Sequence, residues 1–373
     1  MPNSNQNSFR QSTPHIKLFI PGPTEVLPEI LDAQGKWMIG HRMPESSDLM
    51  ASVEPKLQQV FMTSQPVLIA AATGTGFMEG AVRNAVNKKA LNCVNGAFSQ
   101  RMAEITVANG KANEVYEVEW GQAILPEPVA ERLASGEFDA VTLAHNETST
   151  GVASPVGEIA KAIRALPNGN EIIIIVDAVS SLSGAYLPFD EWDLDVLFTS
   201  SQKAFALPPG LAFCAVSQRA MDKAKTVPNR GFYFDFIDMN KFLQKHQTSA
   251  TTPISLLYAA DVQLDRILAE GVEARIARHV AMRDRTMAWV TSKGFQLFAA
   301  PGYESTTVTT AVNNREIDIS ALNKFLRTRG MIISNGYGNL KGKTFRIAHM
   351  GDLHMADLET LFAAMDEYLE STS

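Results

Sequence analysis

The chain has 373 residues, a formal net charge of −7 and a hydrophobic fraction of 45%. This length can bury a large core and predicts two or more domains, and the acidic balance gives no support for nucleic acid or an anionic membrane as a partner. Cys93 and Cys214 are the only cysteines, and no CxxC pair or Cys/His cluster occurs. The composition therefore argues against a disulfide framework and a thiolate metal site, and it favours a reducing cytoplasm.

The first residues of the chain are polar and lack an apolar core segment. We predict a loose N-terminal arm over 1–16 and no secretory signal. The longest nearly apolar run, 204–216, is interrupted by Pro208 and Pro209. It is shorter than the about 20 residues that a membrane helix needs, so no membrane partner is expected.

From residue 67 onward, short apolar runs alternate with segments of helical periodicity. Strands are predicted at 67–72, 91–94, 113–120, 139–145, 171–179, 195–201 and 211–216. Helices are predicted between them at 77–86, 99–109, 126–134 and 155–166. This alternation of β-branched strands with helices predicts an α/β fold, in which a mostly parallel sheet is covered by helices on both faces.

The C-terminal third begins with a helical segment that we predict as one long helix from about 256 to 293, because it contains no proline. Strand-like and helical segments then alternate at 305–312, 318–329, 344–349 and 355–369. The predicted organisation is a large domain over 17–265 and a smaller α+β domain over 266–373.

Ligands of such sheets lie beyond the carboxyl ends of the strands, so the residues after each strand are informative. The segment TGTG at 73–76 follows the first predicted strand and opens a helix, where backbone N–H groups and the helix dipole attract an anion. Asp177 ends a buried run of isoleucines and valine, and a buried carboxylate needs a donor or a cation. The structural alternative for TGTG is a simple glycine turn. The structural alternative for Asp177 is a helix cap or an ion pair. HNETSTG, at 145–151, is by itself typical of a turn.

Lys203 is the only formal charge between Asp195 and Arg219. A lysine amine in a poorly solvated pocket loses its proton more easily, and the neutral amine condenses with an aldehyde. A lysine that extends to the surface is the alternative. The combination of an anion site, an acidic residue and an isolated lysine at the strand ends of one sheet is what pyridoxal phosphate requires.

With these residues in view, the chain resembles the class V aminotransferases of fold type I, above all the alanine/serine–glyoxylate (or pyruvate) aminotransferases. The resemblance covers nearly the whole chain and rests on the order and spacing of FIPGPTEV (19–26), GHRMPE (40–45), TGTG (73–76), HNETSTG (145–151), VDAVSS (176–181), SSQKAF (200–205), PPG (208–210), TTP (251–253) and FRIAHMGDL (345–353). It implies a large domain that binds pyridoxal 5'-phosphate and a reaction between a small L-amino acid, serine or alanine, and glyoxylate or pyruvate. Aspartate also stays open as a donor.

The resemblance also implies a role for each matching position. Lys203 would form an imine with pyridoxal phosphate, Asp177 would pair with the pyridine nitrogen, and Arg346 would bind the substrate α-carboxylate through two hydrogen bonds. The other implied cofactor contacts are to the phosphate from Thr75, Gly76 and Gln202, to the two ring faces from Phe77 and Val179, and to the ring hydroxyl from Thr148. Thr248 and Thr251 match positions that reach the phosphate of a neighbouring subunit, so a homodimer is implied.

Four alternative functions differ from this one in the residues that they require. A phosphoserine aminotransferase, which pairs phosphoserine with 2-oxoglutarate, needs a second anion pocket, and Arg42 is the candidate to build it. A cysteine desulfurase needs a nucleophilic cysteine in the C-terminal domain, whereas neither cysteine lies beyond residue 214. An NAD-binding domain is disfavoured because TGTGFMEG lacks the GxGxxG pattern. A cofactor-binding protein without activity is disfavoured by the intact set of Lys203, Asp177 and Arg346.

Overall fold

The computed structural model describes residues 14–371 of the chain. Most of the predicted N-terminal arm, residues 1–13, lies outside the described residues. No helix within 14–371 is long and apolar enough to cross a bilayer.

The fold alternates strands and helices along most of its length. The strands are β1 (Lys17–Phe19), β2 (Val67–Ala70), β3 (Lys89–Val94), β4 (Ala112–Glu117), β5 (Ala140–Ala144), β6 (Asn146–Glu147), β7 (Val152–Ala153), β8 (Ile173–Asp177), β9 (Val196–Ser200), β10 (Ala212–Val216), β11 (Gln296–Leu297), β12 (Val308–Val312), β13 (Met331–Asn335) and β14 (Thr344–Ala348). The α-helices are α1 (Pro28–Ala33), α2 (Pro44–Phe61), α3 (Gly74–Ala85), α4 (Ala97–Ala108), α5 (Pro126–Leu133), α6 (Val156–Arg164), α7 (Gln218–Thr226), α8 (Phe236–Leu243), α9 (Ile254–Glu270), α10 (Val272–Ser292), α11 (Ile319–Thr328) and α12 (Met355–Ser371).

The larger sheet has seven strands in the order β2-β10-β9-β8-β5-β3-β4. Strand β10 runs antiparallel to both of its neighbours, and the other pairings are parallel. The central strands β5, β8 and β9 are buried at every position, because apolar side chains on both faces of the sheet are covered. The mostly parallel sheet that the sequence predicted is confirmed, and the predicted strands from 67 to 216 are all present.

The smaller sheet has the order β1-β13-β14-β12-β11. Its strands pair antiparallel except for β1, which lies parallel to β13 with Lys17 opposite Met331. Strand β1 therefore joins a sheet formed by the C-terminal third, although residues 17–19 fall within the predicted large domain. Phe19 accordingly packs in an apolar cluster whose other members come from the segment between Met282 and Leu369. The domain boundaries of 17–265 and 266–373 stay a prediction.

The prediction of one long helix from 256 to 293 is wrong, because the segment forms two helices, α9 and α10. Gly271 separates them with a φ of +87°. Glycine adopts this region without the steric cost that a side chain carries, so the chain turns here although no proline marks the break. Nine of the strands and α-helices within 14–371 were not predicted, namely β1, β6, β7, β11, β13, α1, α2, α7 and α8.

Candidate active site

The carboxyl ends of the central strands of the larger sheet border one cavity of about 250 Å³. Its lining residues are Thr73, Gly74, Thr75, Met78, Phe98, Arg101, Thr148, Asp177, Val179, Ser200, Gln202 and Lys203. Strands β8 and β9 are parallel with Asp177 opposite Phe198, so the segments that follow them reach the same edge. The sequence-predicted residues that the fold brings together here are Thr75, Thr148, Asp177, Val179, Gln202 and Lys203.

Lys203 lies under the loop that contains FIPGPTEV. Its Nζ donates a hydrogen bond to the carbonyl of Pro21, while Thr24 Oγ1 donates to the carbonyl of Lys203 at 2.9 Å. Gly22 has a φ of +127°, which a residue with a side chain rarely adopts, and a Cβ there would lie 2.6 Å from Lys203 Nζ, so glycine suits this close approach. These contacts therefore hold the loop that contains FIPGPTEV against Lys203.

The Lys203 amine has a lowered pKa and so loses its proton more easily than an exposed lysine does. Burial lowers its pKa from 10.5 to about 8, because a desolvated ammonium is disfavoured. Asp177 opposes this change, whereas the positive charges of Arg346 and Arg101 add to it. A substantial fraction of Lys203 is therefore neutral just above neutral pH.

Asp177 ends β8 with its side chain almost fully buried. Burial raises the pKa of its carboxyl to about 7, against the hydrogen bond that Val179 N donates to Oδ1 at 2.8 Å. The charge of Glu147 raises the pKa further, and Lys203 and Arg101 lower it. Asp177 thus keeps a titratable carboxyl that a cationic ring nitrogen would stabilise in its ionised form.

Helix α3 begins at Gly74, which lines the cavity. A Cβ at Gly74 would lie 2.3 Å from Val179 Cγ2, so the glycine allows the helix start to pack closely on Val179. Gly76 departs from its predicted place, since its N–H donates to the carbonyl of Thr73 at 2.9 Å and it is not among the lining residues. A Cβ there would lie 2.6 Å from Phe234 Cζ, which makes Gly76 a packing position.

Phe77, predicted to cover one ring face of the cofactor, is fully buried in the apolar core. Its ring packs 5.5 Å from Phe234 and 6.5 Å from Phe236, on the side of α3 away from the cavity. The aromatic ring that lines the cavity is Phe98, near the start of α4. The Phe77 assignment is corrected accordingly. Phe98 was not predicted as a site residue. It nevertheless follows the end of β3, and residues after strand ends were the candidates for the site.

A buried carboxylate fixes the start of α4. Glu147 is fully buried, and its Oε2 accepts hydrogen bonds from Phe98 N at 3.1 Å and Ser99 N at 2.9 Å. Its Oε1 accepts from Ser149 Oγ at 2.7 Å. A carboxylate at a helix N-terminus satisfies free N–H groups and matches the helix dipole. Glu147 therefore holds the segment that presents Phe98 to the cavity.

Arg346 lies beside the cavity on β14. Its Nη1 donates to the carbonyl of Thr148 at 3.2 Å, its Nε donates to the carbonyl of Asn335 at 3.2 Å, and its guanidinium lies 5.6 Å from the ring centre of Tyr337. Burial lowers its pKa to about 10, so it stays charged at neutral pH. Both hydrogen bonds go to uncharged carbonyls, which leaves the charge able to attract a carboxylate.

Thr248 and Thr251 do not line the cavity of their own chain. Thr248 Oγ1 donates to the carbonyl of Ala250 at 2.7 Å, and the Thr248 carbonyl accepts from Arg42 Nη1 at 2.7 Å. The role of the two threonines toward a neighbouring subunit stays a prediction.

Comparison with known proteins agrees with this geometry. A family model described as "Aminotransferase class-V" matches residues 38–344. An uncharacterized aminotransferase of Methanocaldococcus jannaschii is 39% identical over 90% of this chain and 87% of its own, and a serine–glyoxylate aminotransferase of Methylorubrum extorquens is 32% identical over 91% and 88%. The crystal structure of an alanine–glyoxylate aminotransferase from Nostoc superposes with a TM-score of 0.89 at 26% identity, covering 98% of this chain and 100% of that one.

The fold and its structural neighbours define an aminotransferase of fold type I. Within that class, the chain belongs to the class V aminotransferase family.

Proposed function

We propose that this enzyme transfers an amino group from a small L-amino acid, serine or alanine, to glyoxylate or pyruvate, with pyridoxal phosphate as its cofactor. The observation that carries the proposal is that Lys203 and Asp177 line one cavity, with the pKa of the amine lowered to about 8 and that of the carboxyl raised to about 7. The names of the relatives above support glyoxylate as an acceptor and serine or alanine as donors.

The cavity fits pyridoxal phosphate. Ser200 Oγ and Gln202 Oε1 are buried and have no hydrogen-bond partner within the described part of the chain, as expected for groups whose partner is a ligand. Thr75 at the start of α3 would hold the phosphate together with Gln202, and Asp177 would face the ring nitrogen. Val179 and Phe98 line the cavity and would contact the ring faces.

Pyridoxal phosphate, when bound, supplies an aldehyde for an amine and a ring that accepts electrons from the substrate α-carbon. Lys203 would hold the cofactor aldehyde in the resting enzyme and, as a free amine, would take the proton from the substrate α-carbon. Asp177 would keep the ring nitrogen protonated. Arg346 orients the α-carboxylate, and the Thr148 carbonyl in turn orients Arg346.

The function is tested by the visible absorption of the purified, cofactor-loaded enzyme. We expect L-serine or L-alanine to bleach it and glyoxylate or pyruvate to restore it, because the amino group then moves onto the cofactor and off again. L-Glutamate and L-phosphoserine are the control donors. Bleaching by phosphoserine or glutamate, with recovery on 2-oxoglutarate and none on glyoxylate, would replace this proposal with the phosphoserine aminotransferase.

The capture of pyridoxal phosphate by the apoenzyme should depend on pH through Lys203. Only the neutral amine attacks an aldehyde, so the rate should rise with pH up to about 8 and then level off, as the amine loses its proton. Stopped-flow absorbance measures this rate. A rate that still rises beyond pH 10, as for an exposed lysine, would contradict the assigned environment of Lys203.

The contacts of Arg42 argue against the phosphoserine alternative. Its Nη1 donates to the Thr248 carbonyl at 2.7 Å, Nη2 donates to the Ser249 carbonyl at 3.4 Å, and the guanidinium lies 5.0 Å from the ring centre of Phe242. Arg42 is also not among the residues that line the cavity, so its position favours a role in holding the 248–249 backbone over a second anion pocket at this site.

A homodimer is part of the proposal. Trp37 is 94% exposed and Phe232 is 90% exposed, and apolar side chains so exposed are typical of surfaces that another protein covers. A second copy of this chain would cover them and would bring Thr248 and Thr251 to the cofactor phosphate of the partner subunit. A cytoplasmic location is proposed as well, since Cys93 and Cys214 are both unpaired and buried.

A further inference from the structure

Arg101, on helix α4, is a charged residue of the cavity that was not predicted as a site residue. Its Nη1 lies 3.4 Å from Thr75 Oγ1, its Nη2 donates to the hydroxyl of Tyr337 at 3.2 Å, and its guanidinium lies 4.9 Å from the ring centre of Phe98. Both polar contacts are therefore to uncharged hydroxyls. The contact to Thr75 is long for a hydrogen bond, which leaves donors of the guanidinium available to a ligand.

The phosphate site as predicted from the sequence contains no charged group. Its members are Thr75, Gly76, Gln202 and, from the partner subunit, Thr248 and Thr251. A phosphate monoester carries a charge of about −1.5 to −2 at pH 7, and a helix N-terminus supplies about half a positive charge. Most of the charge of the phosphate is thus left without compensation by that set.

The charged residues that line the cavity are Arg101, Asp177 and Lys203. Asp177 would repel a phosphate, and Lys203 is required for the aldehyde. Arg101 is the remaining cation, and it contacts Thr75, the side chain at the start of α3 where an anion is expected. A guanidinium is also well suited to a phosphate, because it offers two parallel donors.

We propose that Arg101 binds the phosphate of pyridoxal phosphate and is the charged group of the phosphate site. This inference rests on the proposed function and adds to it a residue that decides how tightly the cofactor is held. Tyr337 and Phe98 keep the guanidinium in place, the first by a hydrogen bond and the second through its ring face.

The test compares pyridoxal phosphate with pyridoxal, which lacks the phosphate. The dissociation constants of both are measured on the apoenzyme by absorbance titration, for the wild type, Arg101→Gln and Arg101→Lys. We expect Arg101→Gln to weaken pyridoxal phosphate by about tenfold or more, and pyridoxal by less than about twofold, since a charge-assisted hydrogen bond is lost only with the phosphate. Arg101→Lys should keep most of the affinity.

Arg132→Gln is the matched control, because Arg132 packs on the ring of Tyr116 at 4.0 Å, away from the cavity. Equal affinity of wild type and Arg101→Gln for pyridoxal phosphate would overturn this inference but would leave the proposed function standing. An equal loss for both ligands would also overturn it, because it would show that Arg101 acts through the ring contact of Phe98. A wild-type apoenzyme that binds neither ligand would overturn the proposed function and the inference together.

Discussion

We expect Lys203→Ala to lower the rate of transamination by at least about 10⁴-fold, the largest effect of any single substitution in this chain. The substitution removes both the amine that holds the cofactor aldehyde and the base that takes the proton from the substrate α-carbon, and general-base catalysis alone contributes about 10²–10⁴-fold. Steady-state transamination between L-serine or L-alanine and glyoxylate measures the loss.

Two variants make this result specific. Lys203→Arg keeps a positive charge but lacks a condensing amine, so it should be as inactive as Lys203→Ala. Lys223→Ala removes a half-buried lysine that pairs with Asp139 at 2.7 Å, away from the cavity, and should retain activity.

Treatment of the wild type with borohydride should attach the cofactor covalently, and the same treatment should leave Lys203→Ala unmodified. Turnover of Lys203→Ala near that of the wild type would refute the assignment of Lys203.

Asp177→Asn should lower the transamination rate by about 10²-fold or more and should weaken cofactor retention. An amide has nearly the shape of the carboxyl but no negative charge, so it cannot keep the ring nitrogen protonated, and preorganised electrostatic groups of this kind contribute about 10²–10³-fold. The rate and the dissociation constant of pyridoxal phosphate are measured together. Asp190→Asn is the control, because Asp190 is an exposed carboxylate bound by Thr63 and Ser64.

The same substitution should not destabilise the apoenzyme. Burial raises the pKa of Asp177 to about 7 from 3.8, so the folded state prefers the neutral acid, and ionisation costs stability as the pH rises from 3.8 through 7. At pH 8 the neutral amide of Asp177→Asn avoids that cost, and its apoenzyme should melt at least as high as the wild type. Wild-type rates in Asp177→Asn would contradict the role of Asp177 at the ring nitrogen, whereas a lower melting temperature would contradict its buried environment.

Much of the site could be predicted from the sequence because the relevant residues follow strands that are easy to find. Lys203 and Asp177 come after apolar, β-branched runs, and parallel strands bring their carboxyl ends to one edge of a sheet. The same reasoning predicted an anion site at 73–76, whereas the family resemblance implied the roles of Thr75, Thr148 and Gln202, all of which line the cavity. Local pattern was sufficient for Lys203 and Asp177, because strand direction decides where the ends of the strands lie.

Residues on helices were harder, since each step along a helix rotates the side chain by about 100°. Phe77 and Phe98 both lie near the start of a helix that follows a strand, yet Phe77 faces the core and Phe98 faces the cavity. Which of them faces the ligand depends on how α3 and α4 pack on the sheet. Arg101 was missed for the same reason, because it lies one helical turn after Phe98.

The sequence by itself determined the strand–helix alternation, the parallel sheet and the lysine and aspartate at its edge, because hydrophobic periodicity and strand ends are local properties. The tertiary structure alone decided which aromatic ring enters the cavity, how Glu147 fixes α4, and that β1 pairs with β13 across more than 300 residues of chain. It also decided the lowered pKa of Lys203 and the raised pKa of Asp177, because both depend on burial and on charges from distant segments. Contacts between residues so far apart in sequence arise only when the chain packs.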